Sequence, residues 1–218
     1  GQSSSVQLRQ ANFSQKIVSE FETVFNGLPF EEGRVAFMRA LAKRLVALET
    51  TQALGSHIIF VVGSTGSGKS SLAAKLAARA LDKDPHDKID LLSLQSSLKM
   101  SSGLRSYARL LNLSVSSINY KKFILSLSNF KRKLIVEVSC DHEEFLMALE
   151  RAKEAIGVRR VQVILALSGG SSEGLIERVL SNYGNLEPII ALTKLDECET
   201  APQEFSKIAA RNAKIGLF

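Results

Sequence analysis

The chain has 218 residues, 45% hydrophobic and 23% charged, which suits a folded globular protein and excludes wholesale disorder. Its net charge of +6 arises from 28 basic and 22 acidic residues dispersed along the chain apart from short clusters such as Lys131-Arg132-Lys133 and Arg159-Arg160. That dispersion gives no dense basic face, so no nucleic-acid partner is expected, and no apolar run nears the roughly 20 residues that span a bilayer.

In chain order, Gly1-Gln2-Ser3 shows neither an initiator Met nor a signal-peptide pattern and reads as a trimmed end. Ile17, Phe21, Val24, Phe25 and Leu28 then recur at the three-four spacing of a buried helical stripe. Gly27 to Gly33, with Pro29 inside, punctuates that pattern, and a second stripe comes at Met38, Leu41, Ala42, Leu45 and Leu48. Two short helices enclose no core alone, so residues 1–54 are expected to form a small helical N-terminal domain packed on the downstream part of the chain.

From His57 the texture changes. Ile58–Val62, Ile89–Leu92, Leu134–Val138, Val161–Leu167 and Pro188–Leu192 are short, nearly continuous apolar runs, as strands buried on both faces should be. Between them lie amphipathic patterns at Leu104/Tyr107/Ala108/Leu111, Phe145/Leu149/Ala152/Ile156 and Ile176/Val179/Leu180/Tyr183. Such alternation predicts an α/β fold over 55–218, a mainly parallel sheet flanked by helices.

Directly after the first strand stands Gly63-Ser64-Thr65-Gly66-Ser67-Gly68-Lys69-Ser70, a full match to the phosphate-binding P-loop pattern, followed by the helix former Leu72–Ala78. The glycines let backbone N–H groups converge on phosphate oxygens, and the helix adds the positive end of its dipole. Lys69 would neutralise the terminal phosphates, and the Ser70 hydroxyl would ligate Mg²⁺. After the last long strand comes Thr193-Lys194-Leu195-Asp196. A carboxylate there would accept hydrogen bonds from the N1–H and N2 amino group of guanine, and the Lys194 stem would lie along the base.

These stretches resemble the GTPases of the signal-recognition-particle type, closest to their flagellar FlhF branch. GSTGSGKSS through Ser71, the AKLAAR run, LRSYARLLNLSV from Leu104 to Val115, LALSGGSSEGLIERVLSNYG and ALTKLDE from Ala191 to Glu197 carry the likeness, over about residues 56–200. The resemblance implies an NG arrangement, helical N domain then G domain, with GTP or GDP and Mg²⁺ as ligands. It further implies a role in flagellar biogenesis or polar placement, nucleotide-dependent homodimers or a protein partner of the flagellar or secretion machinery, and a cytoplasmic location peripheral to the inner membrane. The cysteine count, only Cys140 and Cys198, also points to a reducing cytoplasm.

Two family motifs are altered. Where FlhF-like members carry DTYR, whose Asp and Arg serve water positioning and phosphate contact, this chain has Leu94-Gln95-Ser96-Ser97. Where they carry DTAGR, it has Glu137-Val138-Ser139-Cys140-Asp141. Glu137 would still reach the Mg²⁺ shell, Cys140 replaces a glycine whose N–H meets the γ-phosphate, and Asp141 reverses a positive charge. The family's Gly-Gln loop beside the base falls beyond Ile215-Gly216-Leu217-Phe218, through native shortening or because the chain is a fragment.

The expected function is therefore an FlhF-like regulator that binds guanine nucleotide with weak or lost hydrolysis. Two others stay open: a scaffold that binds no nucleotide, and an ATPase or kinase on the same P-loop. His57, His86 and His142 are scattered, Cys140 has no His/Asp pairing, Ser101-Ser102 suits a helix cap, and Ser168–Ser172 suits a strand-to-helix turn.

Overall fold

A computed structural model describes residues 4–47, 50–96, 102–196 and 202–216. Leu48, Ser97, Ser101, Glu197, Cys198, Leu217 and Phe218, which figure in the sequence expectations, lie outside the described residues. The elements run α1 (Ser4–Gln10), α2 (Gln15–Glu20), α3 (Glu22–Phe25), α4 (Phe30–Leu45), α5 (Thr50–Gly55), β1 (Ile58–Val62), α6 (Lys69–Lys83), β2 (Ile89–Gln95) and α7 (Ser102–Leu110). They continue as β3 (Ser114–Ile118), α8 (Tyr120–Ser126), β4 (Lys133–Ser139), α9 (His142–Ile156), β5 (Val161–Ser168), α10 (Glu173–Tyr183), β6 (Ile189–Thr193), α11 (Pro202–Ala210) and β7 (Lys214–Ile215). They fall into two compact units, residues 1–48 with 167–217 and residues 49–166.

The unit of residues 49–166 is built on a parallel sheet in the order β3-β2-β4-β1-β5. Every residue of β1 is buried, and β2, β4 and β5 are buried along nearly their whole length, as their continuous apolar runs predict. Phe60 meets Phe123 of α8 and Phe145 of α9 edge-on, with ring centroids 5.8 and 5.6 Å apart. α6 packs along β1, β2 and β4 and buries Leu72, Ala73, Leu76 and Ala77, the alanines letting the helix approach the strands closely.

The other unit joins α1 to α4 with α10, α11 and the parallel pair β6-β7. Phe37 of α4 is its centre, contacting the rings of Phe13, Phe21 and Phe25 at 5.0 to 6.0 Å. The helical N-terminal segment is present, but its stripes differ from expectation. α4 buries Gly33, Phe37, Leu41 and Leu45, while Met38 is 44% exposed and Ala42 is also exposed. Both faces of α4 carry apolar residues at three-four spacing, and the Phe37 face is the one that meets α1, α3 and α11. Val24 and Leu28 of the first stripe are likewise exposed, whereas Ile17 and Phe25 are fully buried. The break between helices ends at Pro29, which caps α4, so Gly33 lies inside that helix.

Candidate functional site

The segment Gly63–Ser70 turns the chain from β1 into α6. Gly63, Gly66 and Gly68 all take positive φ, at 144°, 79° and 82°, a conformation side chains resist. At Gly63 space adds a second reason: a Cβ would lie 2.5 Å from the Ala166 carbonyl oxygen and 2.7 Å from the Ser67 hydroxyl. Gly68 holds the N-cap position of α6 without any side-chain cap, so the first turn presents backbone N–H groups to the loop. Thr65 and Gly66 form the exposed tip, Ser67 is buried, and Ser64 and Ser71 are half-buried.

Lys69 folds over this loop. Its Nζ donates to the carbonyl oxygens of Gly63 and Ser64, each at 3.0 Å. Burial holds its ammonium below the ordinary lysine range, partly offset by the Glu137 carboxylate. The Ser70 hydroxyl donates to Glu137 Oε1, so the two residues expected to share a cation are brought together. Glu137, only 3% exposed, stands opposite Val61 on one side and Ser93 on the other. Its other oxygen accepts from Ser93 Oγ at 3.4 Å, and Gln95 Nε2 donates to Ser93 Oγ at 2.7 Å. Gly103 of α7 lies against Ser70 as well, its Cβ direction meeting Ser70 Cβ at 3.6 Å. A loop of three positive-φ glycines, one with no room for a Cβ, an ammonium above it and a hydroxyl–carboxylate pair beside it fit a polyphosphate with a hard divalent cation.

The ends of β2 and β4 hold different chemistry. Ser96 Oγ donates to Glu144 Oε2 at 2.6 Å and accepts from the Asp141 N–H at 3.1 Å, tying the strand end to the start of α9. Burial, with Glu144 nearby, pushes the Cys140 thiol up to about 12, which disfavours the nucleophilic thiolate. Sequence motifs do not single out Ser93, Gln95, Ser96 or Gly103 as ligands. Ser93 and Gln95 carry a usable signal, two polar residues at alternate positions in the apolar second half of β2.

In the other unit, Thr193 ends β6. Its hydroxyl donates to the Leu167 carbonyl at 3.4 Å, and its own carbonyl accepts from Gly169 N–H at 2.8 Å. Lys194 takes a left-handed φ of 56°, which turns the chain so that Lys194, Leu195 and Asp196 are exposed. Ser168–Ser172 makes the expected strand-to-helix turn, with Gly170 at φ 71° and Ser172 capping α10 through Leu175 N–H. The histidines stand apart: His57 Nε2 lies 3.2 Å from the Phe130 carbonyl, and His86 N–H donates to Asp84. Among the described residues no helix is long and apolar enough to cross a membrane.

No protein-family model and no curated protein matches the chain. Solved structures do. FlhF complexed with GTP and Mg²⁺ is similar at TM-score 0.69 and 20% identity, over 98% of this chain and 87% of that one. Chloroplast FtsY from Physcomitrella patens gives TM-score 0.70 at 16% identity, over 97% and 78%. The Signal Recognition Particle 54 kDa protein from Aeropyrum pernix K1, in complex with GDP, gives TM-score 0.60 at 16% identity, over 97% and 55%. The chain therefore has the fold shared by signal-recognition-particle-type GTPases.

Proposed function

We propose that this protein is a guanine-nucleotide-binding regulator of the signal-recognition-particle GTPase type that captures GTP or GDP with Mg²⁺ and hydrolyses it weakly or not at all. The carrying observation is the formed cradle, with Lys69 over the loop and Ser70 bonded to Glu137, beside strand ends that lack the family's Asp and Arg. Loop N–H groups and Lys69 would hold the phosphates, and Ser70 with Glu137 would hold the cation. Mg²⁺, when bound, supplies neutralisation of phosphate charge. Asp196 and Lys194 would recognise the base, on the strength of the Thr193–Asp196 motif.

FlhF with GTP and Mg²⁺ among the similar structures favours guanine and supports an FlhF-like role. That role is flagellar biogenesis or placement through nucleotide-dependent homodimers or a partner, at the cytoplasmic face of the inner membrane near the pole. Residues 1–54 would act as the N domain and 55–218 as the G domain. Thermal unfolding with GTP, GDP and ATP tests the core of this reading. Guanine nucleotide at 100 times Kd should stabilise the fold by about 2.7 kcal/mol. No shift with any nucleotide would instead indicate a scaffold, and preference for ATP an ATPase or kinase.

A further inference from the structure

Two side chains of β2 form a buried polar run that phosphate binding does not use. Ser93 and Gln95 are 0% and 6% exposed, and as alternate residues they share one face of the strand. Ser93 sits in register with Glu137 of the neighbouring β4. An amide, a hydroxyl and a carboxylate inside an apolar sheet are costly unless they satisfy one another. Here they do so in one direction. Gln95 donates to Ser93 at 2.7 Å, Ser93 donates to Glu137 Oε2 at 3.4 Å, and Glu137 Oε1 accepts from Ser70.

We propose that Gln95 and Ser93 are positioning residues that fix the Glu137 carboxylate for the divalent cation held with the nucleotide at Ser70. The proposal rests on the P-loop being a metal–nucleotide site. A glutamate side chain has one more rotatable bond than an aspartate, so its second oxygen reaches a defined place only if the first is anchored. The hydroxyl serves as the anchor, and the Gln95 amide orients the hydroxyl by occupying its acceptor side, leaving its hydrogen for the carboxylate. Gln95 stands at the end of β2, and its amide is committed to Ser93 within the strand, so this strand end serves retention of the cation.

The test is binding of a fluorescent GDP analogue to the full chain, titrated with Mg²⁺ and repeated in EDTA. Removing a partner that orients a metal ligand typically lowers metal affinity by about 10–100-fold. Ser93→Ala and Gln95→Ala should therefore raise the Mg²⁺ concentration giving half-maximal effect about tenfold or more, with affinity in EDTA unchanged. Ser93→Thr, which keeps the hydroxyl, should restore the wild-type midpoint. Gln95→Leu, which keeps the volume, serves as the second variant if an alanine change lowers the melting temperature. An unchanged Mg²⁺ midpoint in folded Ser93→Ala overturns the proposal, and so does an equal loss of affinity with and without metal. A wild-type chain that binds no analogue at all overturns the P-loop reading beneath it, a result distinct from either.

Discussion

Within residues 49–166, the loop after β1 and the ends of β2 and β4 make an instructive contrast. The first has every part that phosphate capture requires: three left-handed glycines, an uncapped helix start and a lysine bonded across the loop. The second holds a polar tie from Ser96 to Glu144 and Asp141, where the resemblance leads one to expect an aspartate and an arginine. Capture depends on fixed backbone dipoles and one cation, whereas turnover also needs an oriented water and charge placed for the transition state. On the proposed function, this sheet carries the first set without the second.

The largest effect that would sharpen this contrast is on turnover. An arginine at such a site is worth about 10³–10⁵ in rate, so single-turnover GTP hydrolysis should run at least about 10³-fold below that of an arginine-bearing member of the fold class. A rate within tenfold would break the contrast. Next comes Gly63→Ala, which sets a methyl 2.5 Å from the Ala166 carbonyl in a backbone conformation side chains avoid. Overpacking and strain together should lower stability by about 2–3 kcal/mol, measured by urea unfolding. Lys69→Ala should weaken nucleotide binding about 10–100-fold by calorimetry, the range for hydrogen bonds to a charged donor. Ser96→Ala should be milder, below about 1 kcal/mol in unfolding, because its partners are solvent-accessible.

The smallest effect concerns Cys140. Its thiol is raised to about 12, so almost no thiolate exists at neutral pH. Iodoacetamide should label it only after denaturation, as read by peptide mass spectrometry. Rapid labelling of the native chain would show a reactive cysteine at that strand end.

Much of the fold and of the site is legible in the sequence, and the misses share a cause. β1 runs over Ile58–Val62 as its apolar run indicates, because a strand buried on both faces writes its full length in apolar residues. β3 carries no such signature: Ser114-Val115-Ser116-Ser117-Ile118 alternates exposed and covered positions at the edge of the sheet, leaving no continuous run. On α4 the spacing allows two faces, and only the Phe37 contacts decide between them. The P-loop needs no structure to be recognised because its glycines are demanded by local backbone geometry. The link of Ser93 and Gln95 to Glu137 emerges only once β2 and β4 are paired, since Glu137 lies 44 residues from Ser93 along the chain.

Capture without turnover is tested most directly by mixing excess protein with radiolabelled GTP and Mg²⁺, collecting the bound fraction, and identifying its nucleotide over time. The label should be retained and should remain GTP over many minutes, and Lys69→Ala should retain little. Conversion of the bound label to GDP within seconds, or no retention by the wild-type chain, would contradict capture without turnover.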